Sequence, residues 1–297
     1  MAKIPDNADI LPPSDDRIFK VLLTHPNAKR VLMSVVSTVI ERPVIDVKIL
    51  NTELPISDVE EKAERFDVNC TIDSGDQVDV EMQSSSYIEE ASRDDEDSQR
   101  TSLINKSIYY ATDLHSSQKS KGVKYRDLVR SFQITFYGYI VFPDWPDFVN
   151  YFALRRPTGE LLSDQVNLII VEMGKLNDIF RRSAADLTDI EMWSAFFQFA
   201  SDPNPARRDF INTIIEMKEE IDMASTLLME ISKDEQERAR FRSRRMAETD
   251  RISNLLTVEE RGRTESIALG RTRGMARVFE LLEKGVSLED AKKILGI

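Results

Sequence analysis

The chain has 1 cysteine, 2 histidines, 2 tryptophans and 10 glycines in 297 residues. A lone Cys70 cannot form an intramolecular disulfide, and without CxxC or HxxH spacings the common structural zinc sites are excluded. His25 and His115 fall on separate predicted elements, which leaves histidine catalysis little to build on. The longest mainly apolar run, Val31 to Ile40, is far below the roughly 20 residues that span a bilayer, and the opening Met-Ala-Lys-Ile-Pro-Asp-Asn has no apolar signal core. We therefore expect a cytoplasmic protein with no membrane association. Hydrophobic residues make up 41% of the chain, enough for a large core, which rules out disorder of the whole.

The formal net charge of -12 argues at first against a nucleic-acid partner. Its distribution is uneven, however. Residues 51–100 hold 16 Asp/Glu against 4 Lys/Arg, whereas residues 236–297 hold 14 Lys/Arg against 10 Asp/Glu. Arg238, Arg240, Arg242, Arg244 and Arg245 fall within eight positions. Such a run is either a solvated helix face or loop, or a phosphate-contacting surface.

After a proline-rich lead, Ser14 is a candidate N-cap for a helix beginning Asp15-Asp16-Arg17, which His25-Pro26 interrupts. A second apolar-periodic stretch runs from about Asn27 to Ile40. Val44 to Asn51, Arg65 to Ile72 and Gln77 to Gln83 then read as strands, Tyr87 to Gln99 as a loop and Arg100 to Ser117 as a helix. Strands return at Ser131 to Phe142, Val149 to Arg155 and Val166 to Met173. Beyond Lys175 the pattern is helical, with a break at Asp202-Pro203-Asn204-Pro205. The order predicts an α/β or α+β core over residues 1–200 and a helical extension over 201–297.

Two of these strands alternate sharply. Val68, Cys70 and Ile72 oppose Asp67, Asn69 and Thr71, and Val78, Val80 and Met82 oppose Asp79, Glu81 and Gln83. Matching the apolar faces of an antiparallel hairpin requires an even-sum register, which sets Asp67 across from Glu81 or Gln83 and calls for a three-residue loop or a bulge at Ser74-Gly75. Two carboxylates so placed repel, and a hard divalent cation, with magnesium the natural one, relieves the repulsion. The alternative is that Asp67, Asp79 and Glu81 form the solvent face of the hairpin.

The pattern Asp67-Val68 … Val80-Glu81-Met82-Gln83 resembles the D…ExQ form of the PD-(D/E)XK nuclease motif, as in the recombination-promoting nuclease/putative transposase family. Asp16-Arg17-Ile18-Phe19-Lys20 is similar to that family's opening D-x-x-F-K helix. Lys106-Ser107-Ile108-Tyr109-Tyr110 is similar to its R-x-x-Y-Y helix, and Val171-Glu172-Met173-Gly174-Lys175 to its E-L-x-K strand end. Glu191-Met192-Trp193 with Phe196 and Phe197 extends the match. The resemblance implies a restriction-endonuclease-like mixed sheet flanked by helices, and magnesium-dependent DNA cleavage, with manganese able to substitute. It implies that Asp67 and Glu81 hold metal, that Asp16 completes the site, and that Gln83 stands in the usual lysine position to orient the attacking water. Lys106 replaces the family's arginine, keeping the charge but losing the bidentate fork.

Lys20 and Lys106 are candidates for contact with the scissile strand, with structural salt bridges as the alternative for each. Tyr109 and Tyr110 read as core packing, and Cys70 as a small buried hydrophobe. The competing functional class is a catalytically silent DNA-binding or protein-interaction module that keeps the nuclease fold. Homo-oligomerisation through the C-terminal helices is expected in either case.

Overall fold

The computed structural model describes residues 3–50, 68–84, 96–118 and 123–295. The expected loop at Tyr87 to Gln99 lies mostly outside them. Two helices open the chain, α1 (Asp16–Thr24) and α2 (Lys29–Val39), separated where His25-Pro26 was expected to break the pattern. The N-cap of α1 is Asp15 rather than Ser14. Its carboxylate accepts the N–H groups of Arg17 and Ile18 at 3.1 and 3.3 Å, satisfying orphan donors that favour an acid.

Strands β1 (Val47–Ile49), β2 (Val68–Ile72) and β3 (Gln77–Gln83) follow, then α3 (Glu96–Ser116), β4 (Ser131–Tyr137), β5 (Val149–Arg155) and β6 (Leu161–Glu172). They form one six-stranded mixed sheet in the order β1-β2-β3-β4-β6-β5. β2 and β3 pair antiparallel in the even-sum register, Val68 with Val80 and Cys70 with Val78. Their connection is the expected three-residue loop: Ile72 N–H donates to Asp76 C=O at 3.0 Å, and Gly75 N–H donates to Ile72 C=O. Gly75 closes it at φ +86, where a residue with a Cβ is strained. β3 then runs parallel to β4, and β4 parallel to β6.

Parallel interior strands are covered on both faces, and this sheet follows the rule. On one face Phe136 meets Phe19 of α1 at 5.9 Å between ring centroids and Phe197 at 5.5 Å. Phe197 belongs to α4 (Asp189–Phe199), where it stacks on buried Trp193. On the other face α3 lies across β3, β4 and β6, with Leu103 and Ile104 against Tyr137, Leu168 and Ile170. The segment after β6 begins with short 3-10 turns over Met173–Arg181 and Ala184–Asp186 rather than an α-helix.

α5 (Pro205–Met217) and α6 (Glu219–Lys233) follow the expected break. Asn212 of α5 exchanges two hydrogen bonds with the Ile4 backbone at 2.8 and 3.1 Å, and Ser232 of α6 accepts the Leu11 N–H. The first compact unit accordingly runs from Met1 to Arg238 and the second from Ala239 to Ile297. The sequence assigned α5 and α6 to the extension, but their packing places them in the first unit. α7 (Glu235–Glu283) and α8 (Leu288–Leu295) are the remaining helices. Among the described residues no helix is long and apolar enough to cross a membrane.

Candidate active site

β3 presents Asp79, Glu81 and Gln83 to the face that α3 covers. In-register neighbours of a sheet share a face, and these three pair with Gln133, Thr135 and Tyr137 of β4. The Tyr137 hydroxyl reaches Ser107 of α3 at 2.8 Å. Asp79 and Glu81 therefore do not face solvent. Asp79 is 0% exposed and Glu81 3%, because β3 is an interior strand rather than half of an isolated hairpin. Enclosing a carboxylate without partners is costly, and Asp79 is served in part by Gln133, whose Nε2 donates to Oδ2 at 2.8 Å.

Asp67 lies outside the described residues, adjoining Val68 in the sequence. Gln83 is half-buried, and its carbonyl accepts the N–H of Gly138 at 2.9 Å. Two buried oxygens on this face, Thr135 Oγ1 from the residue in register with Glu81 and Asn69 Oδ1 from the residue in register with Asp79, have no hydrogen-bond partner among the described residues. This donor set is all oxygen, since Cys70 points to the opposite face. Such a set fits a hard cation such as magnesium. Among the described residues no group of three His, Cys, Asp or Glu can hold a metal ion, so a complete acidic ligand set requires a residue beyond them.

The other predicted residues are spread more widely. Asp16 and Lys20 sit on α1, whose Phe19 packs on the Phe136 face, the side of the sheet away from the Glu81 side chain. Asp16 Oδ1 accepts the Arg17 N–H at 2.8 Å. Lys106 lies on α3, on the Glu81 side, with Nζ 5.2 Å from the centre of the Tyr110 ring. Tyr109, expected in the core, is 51% exposed, since the helix turns Ser107 and Ala111 inward instead.

Arg238 is committed to Asp9, pairing with its carboxylate and donating to its carbonyl at 3.3 Å. Arg240, Arg242, Arg244 and Arg245 occupy α7, where Arg245 lies over the Phe241 ring at 5.9 Å.

Two groups escaped the sequence reading. Tyr137 stands in register between Gln83 and Glu172. Burial, reinforced by the charges of Glu81 and Glu172 and opposed by the Ser107 hydrogen bond, pushes its hydroxyl up to about 12. Fully buried Glu172, quoted above only as part of a motif, organises the end of the sheet. Its Oε2 accepts the N–H groups of Val141 and Phe142 at 2.7 and 2.8 Å, and its Oε1 meets Lys175 Nζ at 2.6 Å and Asn150 Nδ2 at 3.0 Å. Lys175 also donates to the carbonyls of Trp145 and Asp147. His115 is locally bonded, as expected of a histidine outside any catalytic group, with its Nδ1 3.2 Å from Ser131 Oγ. Only the E-x-x-K spacing of Glu172 and Lys175 was visible in advance.

A mixed sheet sandwiched by helices, with a buried acidic strand at its centre, is the restriction-endonuclease-like α/β arrangement. The family model described as PD-(D/E)XK nuclease family transposase matches residues 13–257, and the chain belongs to that family. Comparison with curated proteins gave no match, and comparison with solved structures gave none. Membership supports a nuclease-type enzyme with DNA as its substrate, of a superfamily that generally uses divalent metal ions.

Proposed function

We propose that the chain is a magnesium-dependent DNA endonuclease, hydrolysing phosphodiester bonds to leave 5′-phosphate and 3′-hydroxyl ends, in recombination or the service of a mobile element. The observation that carries this reading is the enclosure of Glu81 on an interior strand, in register with Thr135, whose hydroxyl has no hydrogen-bond partner among the described residues. A buried carboxylate flanked by amide and hydroxyl oxygens is the kind of donor set that a hard divalent cation takes.

In this reading Asp67 and Glu81 hold magnesium, with manganese able to substitute; Asp16, expected to complete the site, lies on the other side of the sheet and is left out of the ligand set. Bound there, the ion would supply Lewis acidity toward the phosphate and lower the pKa of a bound water. Gln83 orients the attacking water through its amide, which has both a donor and an acceptor. Lys106 meets the phosphate backbone from α3, and Lys20 from α1. Arg240, Arg242, Arg244 and Arg245 add non-specific attraction, as would Arg238 on release from Asp9. Self-association through α7 and α8, and a cytoplasmic location, belong to the same proposal.

Cleavage of supercoiled plasmid with magnesium, run beside Asp67→Ala and Glu81→Ala, tests the reading. Nicking by the parent that both substitutions abolish supports it; a folded parent inert with magnesium and manganese rejects it. A catalytically silent DNA-binding module is the second reading, favoured by the glutamine at position 83, which cannot supply lysine's positive charge. It requires DNA binding without cutting.

A further inference from the structure

Two hydroxyls meet at the boundary between α3 and the sheet. Tyr137 is 1% exposed and Ser107 2%, and their oxygens lie 2.8 Å apart. The Tyr137 hydroxyl also approaches the Leu103 carbonyl, at 3.5 Å. Apolar side chains pack about them, Val141, Leu168 and Ile170 with Leu103 and Ile104 against them, while Gln83 and Glu172 flank Tyr137 in register. In such a place a phenylalanine and an alanine would fill nearly the same volume. Replacing both partners of a buried hydrogen bond by apolar groups of the same shape is close to neutral for stability. The pair therefore contributes direction more than free energy.

What it directs follows from register. Tyr137 is the β4 partner of Gln83 and stands beside Glu81's strand, with Gly138 bonded to the Gln83 carbonyl. Ser107 is the next residue after Lys106 on α3. A hydrogen bond at this point fixes the rotation of α3 about its axis, and so the direction in which Lys106 leaves the helix. Hydrophobic contacts alone are non-directional and fix that rotation less firmly.

We propose that Tyr137 is a positioning residue whose hydroxyl, clasped by Ser107, fixes α3 and thereby holds Lys106 toward nucleic acid bound at the Glu81–Gln83 strand. This rests on the nuclease reading for the identity of the site.

The test uses the full chain in a Glu81→Ala background, so that binding is read without cutting. Tyr137→Phe, Ser107→Ala, the double variant and Lys106→Ala are titrated against a fluorescently labelled DNA duplex by anisotropy, with thermal unfolding measured in parallel. The double variant should unfold within a few degrees of its parent. Its DNA affinity should fall about three- to tenfold, as for loss of one phosphate contact, and adding Lys106→Ala should weaken binding no further, the mark of coupled residues in a mutant cycle.

Unchanged affinity in a folded double variant overturns the proposal, as do losses that simply multiply with Lys106→Ala. Absence of DNA binding by every form also overturns it, since Lys106 would then have nothing to meet. Cleavage by the wild-type chain, measured separately with magnesium, decides the nuclease reading by itself. A chain that cuts DNA while the clasp variants bind normally refutes the clasp and leaves the nuclease standing. Should the double variant fail to fold, Ser107→Ala alone, which removes one oxygen from α3, carries the same comparison.

Discussion

Lys175 Nζ sits 2.6 Å from Glu172 Oε1, and the carboxylate of that pair is fully enclosed. The remaining Glu172 oxygen is saturated by two backbone N–H groups, and the remaining Lys175 protons by two backbone carbonyls. Such a pair is expensive to break from one side only, because the survivor keeps its desolvation cost.

Glu172→Gln should therefore lower the free energy of unfolding by about 3–5 kcal/mol, the range for losing one partner of a buried pair. Urea denaturation followed by fluorescence checks this. A loss of under about 1 kcal/mol, the scale of an exposed ion pair, would mean that water replaces the charge and that the loop from Tyr139 to Asp147 does not depend on it.

Gln83→Ala should reduce plasmid nicking by about a hundredfold, the scale of a misplaced reactant, while affinity for DNA changes little. Steady-state kinetics separate the two. A fall in affinity with unchanged turnover would show that Gln83 binds substrate rather than placing water.

Asp76 gives the acid limb of stability a defined origin. Although burial opposes ionisation, Arg42, Ser74 and Arg130 together hold its carboxyl below the ordinary value of 3.8. A depressed folded pKa contributes stability that is fully present above the unfolded pKa and is lost as pH falls through the folded one. Stability should accordingly be level on this account above about pH 5 and decline below about pH 4. Asp76→Asn should cost about 2 kcal/mol at neutral pH, as for hydrogen bonds to a charged group, and should flatten that decline. Parallel slopes in the two proteins from pH 5 to 3 would exclude Asp76 as the source.

Cys70 is fully buried, and burial, with a smaller push from Asp79, raises its thiol to about 12. Thiolate is the reactive form, so the native protein should resist a disulfide reagent at pH 8 and react fully in denaturant. Rapid labelling of the folded chain would show that the strand opens.

Gly174 tolerates no side chain, since a Cβ there would lie 2.7 Å from the backbone of Tyr139. Gly174→Ala should destabilise the protein by about 1–3 kcal/mol, the cost of overpacking, which thermal unfolding would show. An unaltered midpoint would mean that the segment after β4 shifts without cost.

Much of the hairpin was legible because a period of two and the Asp73-Ser74-Gly75 loop leave few registers compatible with matched apolar faces. The surroundings of that hairpin were not. Asp79 and Glu81 alternate with valines in the same way whether the polar side meets water or another strand's Gln133 and Thr135, so the burial of the row emerges only from the sheet order. Tyr137 and Ser107, 30 residues apart, likewise carry no local sign of their meeting. β6 starts at Leu161 rather than Val166, because its first turns extend past the core as an exposed ribbon with no burial pattern to announce them. The strand order places Glu81 correctly only in three dimensions, whereas the E-x-x-K of Glu172 and Lys175 is already complete within four consecutive residues.

β3 takes one neighbour from each side of itself in the chain, β2 before it and β4 after it. The pairing with β4 spans Gln77↔Ser131 to Gln83↔Tyr137, and contacts of such long separation form late, after much loop entropy has been lost. During synthesis the acidic strand therefore cannot acquire its second wall until β4 has left the ribosome, nor the β6 flank of that wall until Glu172 has followed. A chain interrupted before that point carries Glu81 but not its enclosure, so the order of translation itself withholds the finished centre from truncated products.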